Sequence, residues 1–260
     1  MKIRLLTENL ASGMCWHAEW GFSAWIEYGP HRILFDTGYS DVWCHNAALA
    51  GIDLNAADVI ALSHFHSDHT RGLLSHPFTT HKPIVMHPAL LASLQDPWMS
   101  DDNPERHSYD AVLKTLERDF KIITSETPYE MAPGAYFLGE IPRRNGFEKG
   151  VFFDDPMPDD TALAFQTPKG AVVVSGCSHA GICNICDYAK DVTGQKLYAV
   201  IGGFHLIHKE DPPIEETFAY FETEKPDILL PVHCVEFDIQ AKMQMKFGYK
   251  RPGAGSLIEL

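Results

Sequence analysis

The chain has 260 residues, 45% of them hydrophobic, with 21 Lys+Arg against 35 Asp+Glu and a formal charge of −14. That balance excludes a disordered chain, and it excludes the basic face through which phosphate contacts hold nucleic acid, the densest basic spot being Arg143-Arg144. No apolar stretch nears the roughly 20 residues that span a bilayer, and Met1–Asn9 turns polar too early for a signal peptide. The expectation is therefore a cytoplasmic protein with no membrane or nucleic-acid partner, whose six cysteines are thiols or metal ligands.

In chain order, β-branched and aromatic runs bounded by Gly, Pro or Asp predict strands at Phe22–Tyr28, Arg32–Asp36, Val59–Ser63, Pro83–His87 and Lys121–Ser125. Four more follow at Thr161–Gln166, Ala171–Ser175, Leu197–Ile201 and Ile228–Val232. Apolar residues at three- and four-residue steps predict helices at Asp41–Ala50, Pro88–Leu94, Tyr109–Arg118, Ile182–Val192, Ile214–Lys225 and Ile239–Lys246. Hairpin-like strands first and strand–helix alternation afterwards point to helices packed outside sheets. One layered α/β (α+β) domain over residues 1–260 is expected. The polar stretch Asp96–Arg106 reads as a surface loop, and residues 96–118 as a lid or insertion.

The strand Val59–Ser63 runs straight into His64-Phe65-His66-Ser67-Asp68-His69. Residues two apart in an extended turn project to one side, so His64 and His66 reach one ion together. Asp68 and His69 leave from the turn into a helix and serve a second ion. Imidazole and carboxylate suit zinc and related first-row ions. A solvated histidine cluster is the plain alternative, and three histidines with an aspartate inside six residues weigh against it.

The run His-x-His-x-Asp-His, followed by Thr70-Arg71-Gly72-Leu73, resembles the metallo-β-lactamase superfamily, as does Asp36-Thr37-Gly38 after a strand. Gly176-Cys177-Ser178-His179-Ala180-Gly181-Ile182, Gly202-Gly203-Phe204-His205-Leu206 and Val232-His233-Cys234 resemble one branch of it. That branch includes the 7,8-dihydropterin-6-methyl-4-(β-D-ribofuranosyl)-aminobenzene-5'-phosphate synthases. The resemblance implies a four-layer αββα sandwich, His64 and His66 on one metal, Asp68 and His69 on the other, and His233 as the last histidine ligand. It implies one or two divalent ions, zinc first, with manganese, iron or magnesium as the other candidates.

The pattern departs from the superfamily in its middle. Asp160 stands where a third histidine is usual, and Cys177 and His179 follow the next strand where a bridging aspartate is usual. Any of the three is a candidate to complete the site. His205 is a candidate catalytic or substrate-contacting residue. Arg143 and Arg144 are candidates to bind a substrate phosphate, since a guanidinium grips phosphate through paired N–H groups. Asp36 is expected to support a metal-bound histidine through its second nitrogen. Cys183 and Cys186 fall on a predicted helix and read as core.

Divalent ions lower the pKa of bound water from about 15.7 to near 7. The leading expectation is a metal-dependent hydrolase in which Asp68 orients the attacking water on a phosphoester-type or related ester bond of a small molecule, a phosphorylated one being one candidate. The branch adds an alternative: a transferase joining a dihydropterin diphosphate to an arylamine ribosyl phosphate with release of pyrophosphate. A non-catalytic metal-binding or sensor protein is the third reading.

Overall fold

Two mixed sheets carry the chain, one in each of two units of the computed structural model, which describes residues 1–95, 104–148, 156–208 and 212–260. The first unit is Met1–Ser125 with Gly253–Leu260, and the second is Glu126–Pro252.

In the first unit β1 (Lys2–Thr7), β2 (Ser23–Tyr28) and β3 (His31–Phe35) are antiparallel neighbours. β2 and β3 meet through Gly29-Pro30, where Gly29 at φ +58° supplies the left-handed first position of a tight hairpin. From β3 the sheet turns parallel, through β4 (Val59–Ala61), β5 (Lys82–Met86) and β6 (Phe120–Thr124). Four helices accompany it among the described residues: α1 (Val42–Leu49), α2 (Ser67–Thr70), α3 (Pro88–Gln95) and α4 (Pro104–Asp119).

The loop expected at Asp96–Arg106 and the lid expected over 96–118 fall in part on residues 96–103, outside the described residues. The remainder is helix, because α4 starts at Pro104, five residues before the predicted start. Proline suits a first helical position, where its missing N–H is no loss.

The second unit contains β7 (Tyr129–Ala132), β8 (Ala135–Phe137), β9 (Ala162–Thr167), β10 (Gly170–Ser175), β11 (Leu197–Gly203) and β12 (Ile228–Val232). Their order is β12-β11-β10-β9-β8-β7. β7 through β10 are antiparallel, whereas β10, β11 and β12 are parallel. Parallel neighbours need crossovers, here α5 (Ile182–Thr193) and α6 (Ile214–Glu224), and α7 (Phe237–Phe247) follows β12. The apolar faces of α5 and α7 join Val173, Val200 and Leu229 of the strands in one buried cluster. Cys183 and Cys186 lie fully buried in it, and burial pushes both thiols up, as suits core residues and not metal ligands. A thirteenth strand, β13 (Leu257–Glu259), returns to the first unit and pairs antiparallel with β1.

Candidate metal centre

The histidine run leaves the carboxyl end of β4, beside the carboxyl end of β3, where Asp36 stands. Loops at the carboxyl ends of parallel strands are where α/β sheets gather their chemistry. Asp36 is fully buried at φ +55°, a left-handed backbone that aspartate tolerates better than most residues. Its Oδ1 accepts the Ser63 N–H at 2.7 Å, and its Oδ2 accepts the Ser63 hydroxyl at 2.7 Å. The same Oδ2 lies 2.7 Å from His69 Nδ1.

Those bonds fix two tautomers. A carboxylate only accepts, so His69 carries its proton on Nδ1 and keeps the Nε2 lone pair. Ser63 donates its hydroxyl hydrogen to Asp36, so its oxygen, 2.9 Å from His64 Nδ1, accepts a hydrogen bond from the N–H of that ring. His64 therefore also keeps a lone pair on Nε2. That nitrogen sits 3.1 Å from His66 Nδ1. Two nitrogens bound to one tetrahedral zinc stand about 3.3 Å apart, so the pair fits a shared ion. His69 Nε2 lies 3.7 Å from Asp68 Oδ2, and the His64 and His69 ring centroids are 4.2 Å apart. The four expected ligands thus gather in one cluster, and the expected support from Asp36 is present.

The backbone of the run is clamped from the Asp-Thr-Gly loop. Thr37 donates both its N–H (2.8 Å) and its hydroxyl (3.0 Å) to the His69 carbonyl. Gly72 donates to the Gly38 carbonyl at 2.9 Å, and its own carbonyl accepts from Trp43 Nε1 at 3.1 Å. A Cβ at Gly72 would fall 1.9 Å from the Thr37 oxygen, so only glycine fits there.

Helix α4 is pinned to this cluster, which the sequence reading did not foresee. Arg71 Nε donates to Ser108 Oγ at 2.8 Å, and Arg71 Nη1 donates to the Tyr39 carbonyl at 3.0 Å. The Arg71 guanidinium also lies over the Tyr39 ring, whose hydroxyl donates to Glu105 at 2.7 Å. The Phe65 and Tyr109 rings stand 5.8 Å apart, and burial pushes the Tyr109 hydroxyl up to about 12.

In the second unit the three adjacent parallel strands β10, β11 and β12 each end in a candidate residue. Cys177, Ser178 and His179 follow β10, His205 follows β11, and His233 and Cys234 follow β12. Ser178, His205 and His233 adopt left-handed φ of +65°, +51° and +55°. Such backbones cost of order 1–3 kcal/mol each and cluster at functional sites. The loops are stitched together by Ser178 Oγ donating to the Gly203 carbonyl at 2.6 Å and by Leu206 N–H donating to the Cys234 carbonyl at 3.0 Å. The His179 and His205 ring centroids are 4.0 Å apart. Ligand atoms of Cys177, His205 and Cys234 all lie within 4.8 Å of one another. Cys234 had no spacing that marked it in the sequence; only the strand order brings it to Cys177.

Asp160 is fully buried and accepts the Ala180 N–H at 2.8 Å, which anchors the loop carrying His179. Burial raises its pKa to about 6, opposed by that N–H and by the charge of Arg143. Arg143 donates to the carbonyls of Ile141 (2.8 Å), Pro156 (2.8 Å) and Met157 (3.2 Å). Arg144 pairs with Asp191 and lies over the Tyr188 ring. Both guanidiniums are engaged by the chain itself.

Comparison with known proteins agrees with this description. A family model described as "Metallo-beta-lactamase superfamily" matches residues 21–233. A synthase from Methanocaldococcus jannaschii, named 7,8-dihydropterin-6-methyl-4-(beta-D-ribofuranosyl)-aminobenzene-5'-phosphate synthase, is 32% identical, over 100% of this chain and 96% of its own length. Among solved structures, Tm1679, described as a metal-dependent hydrolase of the beta-lactamase superfamily, is 26% identical. It superposes with a TM-score of 0.80 over 100% of this chain and 99% of its own. Zinc-bound PqqB from Methylobacterium extorquens is 12% identical with a TM-score of 0.61, over 100% of both chains, a likeness of fold alone.

Proposed function

The chain belongs to the metallo-beta-lactamase superfamily, and from that premise we propose that it is a metal-dependent hydrolase that attacks a phosphoester-type or related ester bond of a small molecule with water. The observation that carries this reading is the pair of prepared nitrogens: Asp36 holds His69 directly and His64 through Ser63, so that each keeps an Nε2 lone pair. The likeness to Tm1679 at 26% identity supports the same reading.

His64, His66, Asp68 and His69 hold one or two divalent ions. When bound, such ions supply Lewis acidity and lower the pKa of water from about 15.7 to near 7. Asp68, beside His69, orients the attacking water. Asp160 acts as a positioning residue for His179, and Arg143 and Arg144 brace the segment ahead of Glu148 instead of gripping phosphate.

A second reading, transfer to an arylamine instead of to water, is favoured by the 32% identity to the M. jannaschii synthase along the whole chain. In it a dihydropterin diphosphate reacts with an arylamine ribosyl phosphate and pyrophosphate leaves. One experiment separates the two. Metal-loaded protein is assayed with and without chelator on phosphomonoesters, phosphodiesters, lactones and thioesters, and on a pterin diphosphate with and without the amine. Chelator-sensitive hydrolysis without the amine supports the hydrolase. Pyrophosphate release that requires the amine overturns it in favour of the transferase.

A further inference from the structure

We propose that Cys177, His205 and Cys234 form a thiolate-rich metal site, which takes a soft divalent ion such as zinc. The three residues end adjacent parallel strands β10, β11 and β12, and their two Sγ atoms and one ring nitrogen all lie within 4.8 Å of one another. Two sulfurs on a tetrahedral zinc stand about 3.7 Å apart, so small side-chain rotations close the set.

The surroundings are built to hold sulfur at that spot. A Cβ at Gly203 would come within 2.6 Å of Cys234 Sγ and 2.3 Å of the Gly176 oxygen, so glycine makes the space that this sulfur fills. The His205 backbone N–H donates to Cys234 Sγ at 3.4 Å, and Cys234 Sγ donates to the Cys177 carbonyl at 3.3 Å. Left-handed backbones at Ser178, His205 and His233 turn three consecutive strand ends in the same way. Cys177 and Cys234 are buried, at 4% and 1% exposed.

Two thiolates and an imidazole select zinc, cobalt or cadmium over magnesium or manganese. As the ion binds, the two thiol protons leave to solvent and two metal–sulfur bonds form. This assignment takes His205 from a substrate contact to a ligand. It goes beyond the hydrolase reading, which rests on the histidine run.

The test is cobalt substitution of the full chain. Cobalt bound by thiolate gives a near-ultraviolet sulfur-to-metal charge-transfer absorption that histidine and carboxylate ligands do not give. The wild type should show it, and His66→Ala should keep it while losing an ion elsewhere. Cys234→Ala should lose at least half of its intensity, and Cys177→Ala with Cys234→Ala should lose all of it together with one cobalt per chain. His205→Ala, which keeps both sulfurs, should retain the band with at least tenfold weaker cobalt affinity, and it stands in if the cysteine variants fail to fold. Cobalt bound to the wild type without the band overturns this inference and leaves the hydrolase reading intact. An unchanged band in Cys234→Ala, or unchanged affinity in His205→Ala, also overturns it. No cobalt bound at all overturns both.

Discussion

The Asp36 carboxylate lies 2.7 Å from His69 Nδ1, and through Ser63 the same carboxylate also governs His64. Partners of this kind set both the tautomer and the angle of a metal-binding ring, and removing one typically costs about 10–100-fold in metal affinity. Asp36→Asn should therefore lower affinity by about that factor while the protein stays folded, since asparagine tolerates the left-handed backbone. Competitive chelator titration measures it. Asp36→Ala should add a stability loss of about 1–3 kcal/mol, because the buried Ser63 donors lose their acceptor.

Ser63 links Asp36 to His64. Ser63→Ala should weaken the ion shared by His64 and His66 and spare the His69–Asp36 bond. The expected result of nitrogen-resolved NMR is that His69 keeps its Nδ1–H tautomer while His64 populates both. A His64 tautomer unaffected by the substitution would show that Ser63 does not set it.

Gly72 should not accept any side chain. A Cβ there meets the Thr37 oxygen at 1.9 Å and Trp43 Nε1 at 2.9 Å, and the clamp on the His69 carbonyl runs through Thr37. Gly72→Ala should destabilise by about 3 kcal/mol or more in urea unfolding. Gly146, with nothing within 4 Å of its Cβ position, should take alanine with a change of less than about 0.5 kcal/mol.

Glu148 links pH to the stability of α5. Its Oε1 accepts the Cys183 N–H at 2.8 Å and its Oε2 the Asn184 N–H at 2.9 Å, at the start of that helix. Burial raises its pKa against the pull of these N–H groups and of Asn145. A carboxyl whose folded pKa is raised contributes stability fully below its unfolded value and loses it as pH rises through the folded value. The stability advantage of the wild type over Glu148→Gln should therefore shrink as pH rises from the ordinary carboxylate range. Denaturant unfolding at several pH values measures it, and an advantage that grows with pH contradicts it.

Much of this was legible in the sequence because it is local. β2 to β6 and β9 to β12 announced themselves as apolar runs, and four ligand candidates lay within six residues. Asp36 was legible from the Asp-Thr-Gly at a strand end. β1 and β13 were not: β1 begins at a chain end that turns polar early, and the three-residue β13 finds its partner across the length of the chain, as in the pairing of Ile3 with Ile258. β7 and β8 were missed for a different reason: four and three residues around Pro133-Gly134 are too short for alternation to show. The Cys177–Cys234 proximity depends on the order of three strands, so no spacing rule could have found it. The engagement of Arg143 with three carbonyls is tertiary in the same sense, and from sequence the pair looked like free cations.

That the histidine run holds a divalent ion is open to direct measurement. Anomalous scattering from crystals of the metal-loaded protein tests it most directly. A peak bonded to His64 Nε2 and His66 Nδ1 is the expected result. A loaded, well-ordered crystal with no peak at those two nitrogens would contradict it.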